Sequence, residues 1–142
     1  RFETQAGHVT VETRIARNLP SVICDGLQIQ QVLINLIRNA AESISLSGRP
    51  NGRIVVEADL TDTSRVVVTV RDNGPGFDQD ILARALTPFT TTKQEGLGLG
   101  LALARSTAET HGGQLVVESS GGGAAVSFTL PTTVAESTSM EE

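Results

Sequence analysis

Tryptophan and tyrosine are absent from these 142 residues, and phenylalanine occurs only four times. The core must therefore be built from Val, Ile, Leu and Ala. Cys24 is the sole cysteine, which excludes an internal disulfide and leaves no basis for a cysteine metal site. It fits a reducing compartment. Positive charge is also in short supply. Eleven Lys and Arg against sixteen Asp and Glu give a formal net charge of −5. That excludes a non-specific nucleic-acid binder, which needs clustered cations to neutralise phosphates. It does not exclude a nucleotide, whose phosphates can be met by backbone amides and a divalent cation. No apolar run approaches the length that spans a bilayer. The chain opens on Arg1 rather than Met, so it is expected to be part of something longer. What remains is an ordinary soluble composition, 39% hydrophobic and 19% charged, of a size that suits one domain.

Hydrophobic spacing divides the chain into elements. Val9, Val11, Thr13 and Ile15 alternate with polar residues and predict a strand over 8–15. Asp25 reads as a helix N-cap, its carboxylate placed to accept from the first free amides. A helix over 26–45 follows, with Ile29, Val32, Leu33, Leu36, Ile37, Ala40 and Ile44 on one broad face. Gln28, Gln31, Asn35, Arg38, Asn39 and Glu42 lie away from its centre. The Gly/Pro/Asn stretch at 47–52 predicts a turn, and 53–60 and 65–72 predict two strands. Residues 72–77 form a Gly/Pro-rich loop, 78–86 a short helix, 87–96 a polar loop, and 99–111 a buried helix. Gly112 and Gly113 are a natural helix stop. Strands are expected over 114–119 and 124–130, around a hairpin turn at 121–123. From Thr132 onward the Ser, Thr and Glu content predicts a disordered tail. The domain is thus expected to occupy 1–131 and the tail 132–142. The fold class is α+β: a two-layer sandwich of a mixed, mostly antiparallel sheet with about three helices on one face.

Four segments can carry chemistry, and each has a plainer alternative. Asn35 and Asn39 are one turn apart and share a side of the helix. Their amide oxygens suit Mg²⁺, or they form a solvated polar face. Asp72, at the end of an apolar strand and followed by Asn73-Gly74-Pro75-Gly76, can accept from an amine in a pocket. The glycines would let backbone approach a flat ring, or the segment is only a turn. The alternating Gly96, Gly98 and Gly100 open a helix, where free amides and the positive dipole end suit an anion. Close helix packing is the alternative. The spacing is neither the dinucleotide fingerprint nor a P-loop. Lys93, after Thr90-Thr91-Thr92, suits a terminal phosphate or is merely solvated. His111, at a helix end, reads as a cap on the last carbonyls rather than a catalyst. No triad and no metal-ligand cluster is present.

Taken in order and spacing, these segments resemble the catalytic ATP-binding domain of sensor histidine kinases, within the superfamily that includes gyrase, heat-shock chaperone and mismatch-repair ATPases. The stretch from Gln31 through Asn35 and Asn39 to Glu42 is similar to that family's N box. Asp72-Asn73-Gly74-Pro75-Gly76 resembles its first glycine box, Pro88-Phe89-Thr90-Thr91-Thr92-Lys93 its F box, and Gly96-Leu97-Gly98-Leu99-Gly100 its second glycine box. His111-Gly112-Gly113 and the closing Phe128-Thr129-Leu130-Pro131 also match. The resemblance covers about 7–131 and implies a Bergerat-type ATP-binding fold.

The resemblance implies roles for these residues. Asp72 would accept from the adenine amino group, with Gly74 and Gly76 shaping the base pocket. Asn39 would ligate Mg²⁺, with Asn35 beside it. Thr91, Thr92, Lys93, Gly96, Gly98, Leu99 and Gly100 would hold phosphates, and Phe89 would anchor a short lid. Asn35, Asn39 and Lys93 would form the catalytic set. The short lid and Asn-Ala-x-Glu are similar to the nitrogen-regulation and oxygen-sensing branch. Glu42 stands where many members carry Lys, which removes one expected phosphate contact; Arg38 is a candidate substitute. Neither His8 nor His111 resembles the phosphoacceptor, so the histidine-bearing domain is expected to lie elsewhere.

The expected function is to bind ATP and Mg²⁺ and pass the γ-phosphoryl group to a histidine on a separate dimerisation domain, and from there to a response regulator receiver domain. No nucleic-acid partner is expected. The full-length protein would be a homodimer, this fragment a monomer, and its location cytoplasmic. One alternative is a serine kinase of the anti-sigma type. Another is an ATP hydrolase of the superfamily, which would use Glu where this chain has Asn35. A third is a degenerate binding module.

Overall fold

A computed structural model describes residues 2–3, 9–48, 50–76, 97–120 and 122–132. In chain order the elements are β1 (Phe2–Glu3), β2 (Val9–Ile15), α1 (Gly26–Ser47), β3 (Gly52–Leu60), β4 (Arg65–Asp72), α2 (Leu97–Thr110), β5 (Leu115–Ser120) and β6 (Gly123–Pro131). The strands form one six-stranded sheet in the order β1-β2-β3-β4-β6-β5. Its pairings are antiparallel except β2 with β3. Parallel neighbours need a long crossover, and α1 supplies it.

Alternation sets one face of the sheet against the helices. Val9 and Val11, Ile54 and Val56, Val66 and Val70, and Val126, Phe128 and Leu130 are all buried and recur at every second position of their strands. Val32, Leu36, Ala40 and Ile44 of α1 and Leu101, Ala104 and Ala108 of α2 complete the same core. Phe128 is 1% exposed, the one large ring among the described core residues, which are otherwise aliphatic. The opposite face carries charge. Arg53 pairs with Glu12 and Arg71 with Glu57, both at 2.7 Å.

The helix ends show where pattern and stereochemistry differ. Asp25 is extended and its Oδ1 accepts from the amides of Leu27 (3.0 Å) and Gln28 (3.2 Å), as expected of an N-cap. The C-terminus lies two residues beyond the expected Ser45. The apolar period ends at Ile44, but the helix runs on until Gly48 adopts φ 71° and its amide turns back to Ser45 O, a conformation glycine takes at little cost. α2 begins two residues before the expected Leu99. Gly98 therefore joins Gly100 inside its first turn rather than lying ahead of it.

Two helices stand among the described residues. The expected third, at 78–86, and the polar stretch 87–96 lie outside them, as does the chain after Thr132. Thr132, where the tail is expected to begin, is fully buried; its Oγ1 donates to Ser64 O at 2.8 Å, and it bridges Val22.

Candidate functional site

The candidate site forms where β4 ends beside the last turns of α1. Asp72 lies opposite Ile54 and Ala124 in the sheet, on the same side as Val70, so its side chain turns toward the helix layer. Its Oδ1 accepts from the Gly74 amide at 2.9 Å, and the Ala124 amide also donates to the carboxylate. Burial pushes the carboxyl pKa above its ordinary value, and these two bonds only partly offset that. Among the described residues no cation accompanies this half-buried carboxylate.

Gly74 is what allows this. A Cβ there would stand 3.1 Å from Asp72 Oδ1, 3.2 Å from Ser43 Oγ and 3.4 Å from Ile44 Cγ1. The loop after β4 is therefore closely seated between the Asp72 carboxylate and α1. Asn39 is one turn before Ser43, about 6 Å along the helix axis. The end of β4 thus meets α1 one turn beyond Asn39.

Asn39 is only 8% exposed, and its Nδ2 is buried with no hydrogen-bond partner among the described residues. The sequence placed Asn39 away from the centre of the apolar face, and there it is nearly as buried as its neighbour Ala40. An unsatisfied buried amide costs about 1–3 kcal/mol. That fits a residue whose amide oxygen would hold Mg²⁺ while its NH₂ finds a phosphate oxygen. Asn35 is half-buried one turn earlier, and Arg38 and Glu42 are exposed. Among the described residues no three His, Cys, Asp or Glu gather as a metal site.

The α2 first turn consists of Leu97, Gly98, Leu99 and Gly100. These amides have no acceptor four residues back within the helix and face the positive dipole end. Phe89, Thr91, Thr92, Lys93 and Gly96 lie outside the described residues.

Several contributing residues were not legible in the sequence. Asn73 acts as an extension of the sheet. Its Oδ1 accepts from the Arg53 amide at 2.8 Å, its Nδ2 donates to Asn51 O, and its own amide donates to Arg53 O. This fixes the direction in which the chain leaves Asp72. Gly123 has φ 142°, and a Cβ there would collide with the Asp72 carbonyl; it lets β6 approach. Sequence alone marks it only as a hairpin glycine. A cleft of about 310 Å³ at these strand ends is lined by Arg71, Asp72, Glu118, Ser119 and residues 122–125. Its described walls include neither helix, so it is not the space between Asp72 and Asn39.

The sequence profile of the histidine kinase-, DNA gyrase B-, and HSP90-like ATPases matches residues 24–134. The chain belongs to this family. It is 43% identical over 111 residues to the sensor protein FixL of Bradyrhizobium diazoefficiens, covering 78% of this chain and 22% of FixL. Among solved structures, the catalytic domain of histidine kinase ThkA superposes with a TM-score of 0.74 at 32% identity, covering 87% of this chain and 79% of that one. Full-length ShkA in complex with AMPPNP gives 0.73 at 29% identity, covering 87% of this chain and 26% of that one. The chain is thus an ATP-binding histidine kinase-type catalytic domain, and it spans about a fifth of the FixL length. The fold expected from the motifs is the fold found.

Proposed function

We propose that this domain binds ATP with Mg²⁺ and presents the γ-phosphoryl group to a histidine on a separate dimerisation domain of the same kinase. The observation that carries the reading is a half-buried carboxylate, Asp72, that meets no cation among the described residues, together with a buried amide, Asn39, whose Nδ2 meets no hydrogen-bond partner among them. A nucleotide with its cation offers a partner to each.

In this reading the Asp72 carboxylate accepts from the exocyclic amine of adenine, with Gly74 and Gly76 leaving room for the ring. Gly76 has φ 83°, which a larger residue adopts only with strain. Asn39 and Asn35 hold the cation side of the phosphates. The amides of Gly98, Leu99 and Gly100, with Gly96, Thr91, Thr92 and Lys93, take the phosphate oxygens, and Phe89 anchors the covering segment. When bound, Mg²⁺ would neutralise charge on the phosphates. Phosphoryl transfer needs positioning and charge neutralisation more than covalent help, which suits such a set. Asn35 offers no carboxylate to activate water, so transfer is favoured over hydrolysis.

The acceptor domain, a response regulator receiver domain downstream, a homodimeric full-length kinase and a cytoplasmic location for this domain complete the proposal. Among the described residues no helix is long and apolar enough to cross a membrane. The test is radiolabelled ATP given to this chain alone and then with the histidine-bearing domain of its own kinase. Acid-labile, base-stable label is expected on the partner only. Label on this chain alone would overturn the assignment.

A further inference from the structure

His111 sits at the opposite end of α2 from the turn assigned to phosphates, and its ring adds a hydrogen-bonded link between the two helices to their shared core. Its Nε2 accepts from the Asp25 amide at 3.0 Å, and its Nδ1 lies 2.8 Å from Thr107 O. A carbonyl cannot donate, so the proton is on Nδ1 and the Nε2 lone pair faces Asp25. The ring is thus fixed in one tautomer between the last turn of α2 and the N-cap of α1, across 86 residues of sequence.

The neighbouring contacts tie this end of α2 to the sheet. Gly113 donates to Ala108 O at 2.8 Å. Arg65 of β4 donates through Nη1 to Gly112 O at 2.7 Å. A Cβ at Gly113 would overlap the Thr129 carbonyl of β6, so the chain lies directly on that strand. α2 is anchored here to β4 and β6, and His111 passes the anchor on to α1. Ala40, Ala104 and Ala108 are among the buried residues of the two helices. Such small side chains allow a close approach but interlock weakly along the axis. Helices are stiff rods with a 1.5 Å rise per residue, so fixing one end of each sets the offset at the other.

We propose that His111 is a positioning residue. By holding the end of α2 to the start of α1, it sets the axial offset between the α2 first-turn amides and Asn39. This deepens the proposed function and rests on its assignment of phosphates to that turn. His111 touches no reacting atom; α2 carries it roughly 20 Å from Leu97.

The test separates positioning from mere stability. Affinities for ATP with Mg²⁺ and for adenosine are measured by titration on this chain, well below the unfolding temperature, for wild type, His111→Leu and His111→Gln. The Gln carboxamide oxygen can take the place of Nε2 as acceptor for the Asp25 amide. His111→Leu is expected to weaken ATP by about tenfold, the scale of one lost hydrogen bond, while adenosine affinity holds. His111→Gln should recover most of the loss. Equal weakening of ATP and adenosine would mean a general structural role, and unchanged ATP affinity in His111→Leu would mean none; either overturns the inference. If wild type itself does not prefer ATP to adenosine, the phosphate assignment fails instead. Imidazole nitrogen shifts add an independent check. A ring protonated on Nε2 rather than Nδ1 would contradict the geometry.

Discussion

Replacing Asp72 with Asn separates binding from stability. The carboxylate already accepts from Gly74 and Ala124, so an adenine amine would be its third donor. The Asn amide keeps one oxygen as acceptor and turns an NH₂ toward whatever the second oxygen met. Either the Ala124 amide or the adenine amine then faces a donor. A lost hydrogen bond to a charged group is worth about 1.5–3 kcal/mol, so ATP affinity should fall about 10- to 150-fold. Stability without nucleotide should respond differently. Burial raises the Asp72 pKa above 3.8, so in the window above 3.8 the folded chain binds more protons than the unfolded one. The Asp72 contribution to stability therefore declines as pH rises from 3.8 through the raised pKa, and the cost is fully present above it. Asp72→Asn removes that slope. The assays are calorimetric titration with ATP and urea unfolding across pH for both proteins. Unchanged ATP affinity would refute the adenine role, and identical pH profiles would refute the buried-carboxylate argument.

Asn39→Leu exchanges a buried amide with an unmet atom for a side chain of similar size. The apo domain should be as stable as wild type or up to about 1 kcal/mol more so, while Mg²⁺-dependent transfer by the full-length kinase is lost; thermal unfolding and phosphorylation assays check the two halves. Phe128→Ala removes a fully buried ring from the core and should cost about 3–5 kcal/mol, read as a drop in the urea midpoint. Asp25→Ala removes the acceptor for Leu27 and Gln28 and should cost about 1 kcal/mol, with chevron analysis resolving whether folding or unfolding carries it.

Local chemistry was legible where it repeats or punctuates. The valines of β4 give its limits, Arg65 to Asp72, because alternation stops at a carboxylate followed by Asn-Gly-Pro-Gly. The α1 N-cap was legible because Asp25 acts within three residues of itself. The α1 C-terminus was not, because the backbone stays helical through Ser47 after the apolar period has ended at Ile44. Nor was the burial of Asn39, which depends on what packs over α1 rather than on its own spacing. Asn73, Gly123, Thr132 and the bond from Asp25 to His111 were beyond sequence reading for the same reason. Each acts on backbone at least 20 residues away, and only the assembled sheet supplies those distances.

The order of strands also sets when the domain becomes competent. β3 and β4 are joined by a short turn and pair from Leu60↔Val66 outward, so this hairpin closes quickly. β4 meets β6 only after a long excursion, with Arg65 opposite Pro131 and Asp72 opposite Ala124. Distant pairings of this kind form late. The Ala124 amide that helps hold the Asp72 carboxylate belongs to the late strand. A chain emerging from the ribosome should therefore bind no nucleotide until β6 has emerged and paired, even with the glycine boxes and α1 already made. Nucleotide capture would then mark the end of folding, and stalled chains ending before Gly123 should fail to bind an ATP analogue while chains carrying β6 clear of the exit tunnel succeed.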